Sequence, residues 1–249
     1  MSEEKDNLVV TKTMGAKRVG IQGLREKARE ALKDVNPDTC AHRFVIGFDD
    51  SGSMGTEPIK DAKRAVAGFL GACDPKDTSC AIVPFSGVDN PHHGVKAQAL
   101  TNNYTIINAY LGPIRSTSST PLYGTMDKIL TDFKITRAIL FSDGGSTDKT
   151  VSSNWGYHDP DDPEFPQDTT FQEEPAVIKA IEMKIPFDCV AIGADSEELK
   201  HIAKVTGGIY IHFTDTTVFA KNMKYLSPKY VALLSNAELK AKVERGDTI

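Results

Sequence analysis

Five short apolar runs, separated by stretches of helical pattern, most restrict what this chain can fold into. They occupy residues 43–48, 80–85, 137–142, 187–192 and 208–213. Each is rich in β-branched or aromatic residues and too short to be a helix, so each reads as a buried strand. Between the first two, Ile59, Ala62, Val66, Phe69, Leu70 and Cys73 fall on one helical face. Thr56 is expected to cap that helix, with Glu57 and Pro58 in its first turn. Leu122, Met126, Ile129, Leu130 and Phe133 mark another amphipathic helix, opening at Pro121. Helices near 104–111, 174–184 and 196–205, and a last one near 216–223, complete the alternation. Strands alternating with helices imply a doubly wound α/β fold, a mostly parallel sheet flanked by helices on both faces. Residues 95–100 are the expected hairpin partner of the second strand, giving one antiparallel edge strand. In such sheets ligands sit beyond the carboxyl ends of strands, where the strand order switches.

Residues 1–20 have no clear period. Residues 22–35 read as a surface helix, ended by Asn36, Pro37 and Asp38. The expected organisation is an N-terminal extension with a helix (1–41), one domain (42–226) and a C-terminal helical tail (227–249). In the tail, Leu233, Leu234, Leu239 and Val243 would dock on the domain or on a partner.

Charge and cysteine content narrow the function classes. A net charge of −5, with no long Lys/Arg run, does not suit binding to nucleic-acid backbones. No stretch of 18 or more apolar residues occurs, so no membrane span is expected. The acidic first residues lack the apolar core of a signal peptide. Cys40, Cys73, Cys80 and Cys189 form neither a C-x-x-C pair nor a zinc spacing, and read as buried reduced thiols. Together these point to a cytoplasmic protein.

The candidate chemistry lies just after strands. Asp49, Asp50, Ser51, Gly52 and Ser53 follow the first core strand, Asp143 and Gly144 follow the strand at 137–142, and Thr120 ends the polar stretch that opens a helix. Taken singly, each is an ordinary turn or helix-cap sequence. Taken together, at two strand ends and one helix start, they describe a set of hard oxygen donors. Mg²⁺ takes such donors octahedrally and retains several waters.

These residues also carry a resemblance. Phe48 to Met54 looks like the Asp-x-Ser-x-Ser motif of the von Willebrand factor A-type (VWA) domain. Ser119 to Tyr123 is similar to that family's second motif, a threonine opening a helix. Ile139 to Gly144 resembles the third, an Asp at a strand end. Residues 190–193, 199–203 and 206–210 look like the family's late strand, helix and strand. The resemblance covers about residues 42–226. It implies a Rossmann-like VWA fold and a metal-ion-dependent adhesion site formed by Asp49, Ser51, Ser53, Thr120 and Asp143. It implies that the two serines bind Mg²⁺ directly, with Mn²⁺ or Ca²⁺ as alternatives. Thr120 joins them at least when a partner is bound, while Asp49 and Asp143 then act mainly through water. Neutral inner donors leave most of the ion's charge unquenched, so an open position favours an outside Asp or Glu side chain. The implied partner is a protein, such as an AAA+ ATPase or another assembly subunit, and the chain would be an adaptor rather than an enzyme.

The segment 146–170 follows Asp143 and is expected to rim the metal face; Trp155, Tyr157 and His158 read either as partner contacts or as residues of a solvated loop whose aromatics fold back onto the domain. Asp50 is expected to face solvent. His92 and His93 read as exposed residues of a hairpin tip. Two other functions are weighed against the binding module. A hydrolase, esterase or phosphatase, would use the Asp49/Ser51 loop, but no Gly-x-Ser-x-Gly elbow and no Walker A loop is present. A structural subunit with an unused metal site is the other.

Overall fold

The computed structural model describes residues 36–86, 97–116, 119–148, 173–213, 222–233 and 238. The helix expected over 22–35, the rim residues Trp155, Tyr157 and His158, His92 and His93, and most of the expected helix at 216–223 and of the C-terminal tail lie outside them.

Six strands form one sheet: β1 (His42–Phe48), β2 (Thr78–Pro84), β3 (Gln98–Thr101), β4 (Arg137–Ser142), β5 (Phe187–Ile192) and β6 (Tyr210–Phe213). Their order is β3-β2-β1-β4-β5-β6. All pairs are parallel except β2 with β3, the antiparallel edge. The chain winds outward from β1 in one direction and then, from β4, in the other. The switch point therefore lies between the carboxyl ends of β1 and β4.

Alternation along β1 supplies both faces of the core. Phe44, Ile46 and Phe48 pack with α1 (Thr56–Ala72), α2 (Tyr104–Leu111) and the 3₁₀ turn Met223–Leu226. Val45 faces the other way, towards α3 (Leu122–Asp132), α4 (Pro175–Met183) and α5 (Glu197–Thr206). The central strands are buried on both sides, so they read as continuous apolar runs rather than as alternating ones. Gly47 occupies the second face where α3 lies close. A Cβ there would stand 2.6 Å from Leu140 Cδ2 and 3.4 Å from both Ile129 and Phe85.

Some boundaries differ from expectation. Gly55, with φ of 59°, holds the N-cap of α1, and Thr56 is its first helical residue. Glycine adopts that backbone conformation without a Cβ penalty. The edge strand begins at Gln98. The C-terminal stretch forms the four-residue helix α6 (Pro228–Val231) within the described residues.

Candidate metal centre

Strand register builds the site. Phe48 of β1 pairs with Phe141 of β4 and with Pro84 of β2. One residue further on, Asp49 lies beside Ser142; two further on, Asp50 lies beside Ser86. The Asp49 N–H donates to Phe141 O at 2.9 Å, extending the ladder past the strand.

Asp49 is fully buried. Its Oδ1 accepts the Ser51 N–H at 2.8 Å, and its Oδ2 accepts the Ser142 hydroxyl at 2.5 Å. Ser142 Oγ in turn accepts the Gly144 N–H at 3.2 Å. Gly144 has φ of 138°, which a side chain would strain. Both Asp49 oxygens thus shape the two loops from inside. Burial pushes the Asp49 carboxyl up to about 6, against the pull of the Ser142 and Ser51 hydrogen bonds. A cation nearby would oppose that shift by favouring the ionised form.

The hydroxyls form the outer part. Ser53 Oγ donates to Asp143 Oδ1 at 3.1 Å. Ser51 and Ser53 share a hydrogen bond of 3.0 Å. Since the Ser53 proton goes to Asp143, Ser53 accepts that of Ser51. Three oxygens from two loops therefore stand in a chain. Ser51 is buried and Ser53 exposed, so the chain runs from the interior to the surface.

Thr120 is buried beside this chain's loops rather than bonded into it. Its N–H donates to Thr147 Oγ1 at 3.1 Å, and its carbonyl accepts the Thr147 N–H at 2.9 Å. At the other end of the same loop, Ser116 Oγ donates to Ser51 O at 2.7 Å and Gly52 O at 3.2 Å. The Thr120 loop is thereby tied to both of the others. Of the five expected site residues, direct side-chain and backbone bonds join Asp49, Ser51, Ser53 and Asp143. Thr120 arrives through Ser116 and Thr147.

Asp50 departs from expectation: it does not face solvent. It is 1% exposed, accepts the Ser86 N–H at 2.8 Å, and accepts the Ser86 hydroxyl as well. Burial holds its carboxyl above the ordinary range. Both of its oxygens are committed to the end of β2, so it is a strut between the two strand ends.

The donor set suits a hard cation. Octahedral Mg²⁺ with oxygens at about 2.1 Å places neighbouring ligand oxygens about 3.0 Å apart. The Ser51–Ser53 spacing of 3.0 Å, an ordinary hydrogen-bond length, is also compatible with that edge. Among the described residues, no three His, Cys, Asp or Glu side chains are placed to share an ion. The oxygens that converge here are hydroxyls with a carboxylate at the edge.

Sequence reasoning missed Ser142, Ser86 and Thr147, which hold these loops. Strand register, had it been known, would have found the first two.

No protein-family model matches the sequence, and no curated protein is similar to it in sequence. Solved structures are similar in fold. A von Willebrand factor type A protein from Catenulispora acidiphila superposes with a TM-score of 0.54 at 18% identity, over 75% of this chain and 42% of that one. The ArnB paralog VWA2 from Sulfolobus acidocaldarius gives 0.51 at 18% identity, over 76% and 46%. The SpRpn10 VWA domain gives 0.51 at 14% identity, over 76% of this chain and 96% of that domain. This chain spans less than half the length of the first two and nearly all of the third. The six-stranded, mostly parallel sheet has the VWA fold.

Proposed function

We propose that this chain is a metal-dependent protein-binding module. Ser51, Ser53 and Thr120 would hold Mg²⁺, with Mn²⁺ or Ca²⁺ as substitutes, and Asp49 and Asp143 would hold it mainly through water. When bound, the ion supplies an exposed positive charge that attracts an acidic side chain of a partner protein. The observation that carries this reading is the pair of Ser51 and Ser53 hydroxyls, 3.0 Å apart with the Asp143 carboxylate beside them, which one ion could take together. Asp49 supports it, since its oxygens are engaged by Ser51 and Ser142 and are better placed to orient donors than to be one.

Hydrolysis by the same loop is the competing reading. The Ser51 side chain meets the Ser53 hydroxyl and the Asp49 carboxylate, and Asp49 is already engaged by the Ser51 N–H and the Ser142 hydroxyl rather than free to act as a base. We therefore favour binding without turnover. Among the described residues no helix is long and apolar enough to cross a membrane. The buried free thiols accord with a reducing, cytoplasmic setting. An AAA+ ATPase or another assembly subunit is the partner class that the VWA resemblance suggests.

Calorimetric titration with Mg²⁺ tests the proposal. Binding is expected for the native protein and is expected to vanish in Asp49→Ala and Asp143→Ala. Equal heats in all three proteins would sink it. A partner retained in Mg²⁺ should be released by chelator, whereas steady ester or phosphate turnover lost on Ser51→Ala would favour the hydrolase.

A further inference from the structure

We propose that Glu198 is a positioning residue for this centre: its carboxylate bridges the Thr120 segment and the Asp143 loop and sets the gap in which both can reach one ion. The inference rests on the metal reading above.

Glu198 lies in the first turn of α5, an element that supplies none of the five site residues. It is buried, and its two oxygens go to different elements. Oε1 accepts the Tyr123 hydroxyl at 2.6 Å, and Oε2 accepts the Ser146 N–H at 3.2 Å. Tyr123 lies three residues after Thr120, and Ser146 three after Asp143. One buried carboxylate therefore joins the first turn of α3 to the Asp143 loop, at equal chain distance from Thr120 and Asp143. Burial, reinforced by the Glu198 bond, holds the Tyr123 phenol in its protonated, donating form.

Asp148 reinforces the same joint. Its Oδ1 accepts the Tyr123 N–H at 3.2 Å and the Ser146 hydroxyl at 2.5 Å. Its Oδ2 accepts the Gly124 N–H at 2.6 Å. Tyr123 and Ser146 thus meet twice, once through Glu198 and once through Asp148. Without Glu198, the Ser146 N–H would lose its acceptor on α5, and among the described residues Asp148 would remain to hold Ser146. Loops carrying single donors then drift relative to each other, and an ion that needs a near-ideal octahedron is sensitive to sub-ångström errors.

The test is Mg²⁺ titration of the full chain, well below its melting temperature, in Glu198→Ala, Glu198→Gln, Tyr123→Phe and Asp143→Ala. Outer supports of metal ligands typically contribute ten- to hundredfold in affinity, and a loss of about that size is expected for Glu198→Ala. Glu198→Gln should recover most of it, since an amide can accept from Ser146 and donate to the Tyr123 oxygen. Tyr123→Phe removes a single hydroxyl and should weaken affinity severalfold. Added to Glu198→Ala it should cost nothing further, because both act through one bridge. If Glu198→Ala does not fold, Tyr123→Phe and Glu198→Gln carry the test. Wild-type affinity in both Glu198→Ala and Tyr123→Phe, with Asp143→Ala inactive, would overturn the bridge while leaving the centre intact. No binding by the native protein would overturn both.

Discussion

Asp49 and Asp50 are adjacent carboxylates with separate tasks, and the difference comes from their neighbours. Asp49 meets β4 through Ser142 and shapes the centre. Asp50 meets β2 through Ser86 and locks the two strand ends together. Removing the Asp50 carboxylate would leave the Ser86 N–H and hydroxyl buried without their acceptor. Such orphaned groups cost about 1–3 kcal/mol. At this chain length that corresponds to a fall in melting temperature of about 2–4 °C per kcal/mol. We expect that loss in Asp50→Ala. Asp50→Asn should stay near the native value, because its amide can accept the N–H and donate to the hydroxyl while removing a buried charge. Thermal unfolding in chelator decides the matter; an Asn variant as unstable as the Ala variant would remove the strut role.

At the scale of elements, α3 illustrates a helix start completed from elsewhere. Pro121 stands at its N-cap and offers no side-chain acceptor. The N–H groups of Tyr123 and Gly124, in the first turn, are met instead by Asp148, from the loop after β4. A carboxylate there also complements the positive end of the helix. Losing such a cap costs about 0.5–2 kcal/mol. Asp148→Ala should lower the urea midpoint accordingly with an unchanged slope, while Asp148→Asn should retain part of the effect. An unchanged midpoint in Asp148→Ala would show that α3 begins without it. Packing at the next layer is equally close. Gly47 leaves room for Leu140 between β1 and α3. A methyl group in its place would force that side chain aside, a small-to-large change of the kind that costs about 1–3 kcal/mol.

At the scale of the whole molecule, the four thiols share one kind of environment. Cys40, Cys73, Cys80 and Cys189 are all free and buried. Burial pushes the Cys73 thiol up to about 12 and raises Cys40, Cys80 and Cys189 as well. The thiolate is the reactive form, so each is doubly protected. A disulfide-exchange reagent at pH 8 should find no fast thiol in the native protein and four in denaturant. A thiol reacting natively at the rate of a free peptide cysteine would contradict this packing. Lower in the sheet, Arg137 grips Asp188 through two bonds of 2.6 Å, and Asp188 also accepts the Ile209 N–H at 2.8 Å. That pair ties β4, β5 and the approach to β6 at the end of the sheet opposite the candidate centre.

What the sequence determined by itself is local and periodic. Apolar runs such as 137–142, set between helical faces, imply strands of a parallel sheet. Asp49, Ser51 and Ser53 are recognisable because their spacing lies within one loop, and Asp143 because it ends a strand. Tertiary structure alone decided the rest. Asp50 and Ser86 are 36 positions apart, Gly124 and Asp148 are 24 apart, and Tyr123 and Glu198 are 75 apart. In the sequence these are ordinary polar residues of turns and helix ends. Their roles follow from strand register and loop closure, which bring particular donors to particular carboxylates. Neither leaves a periodic trace in the chain.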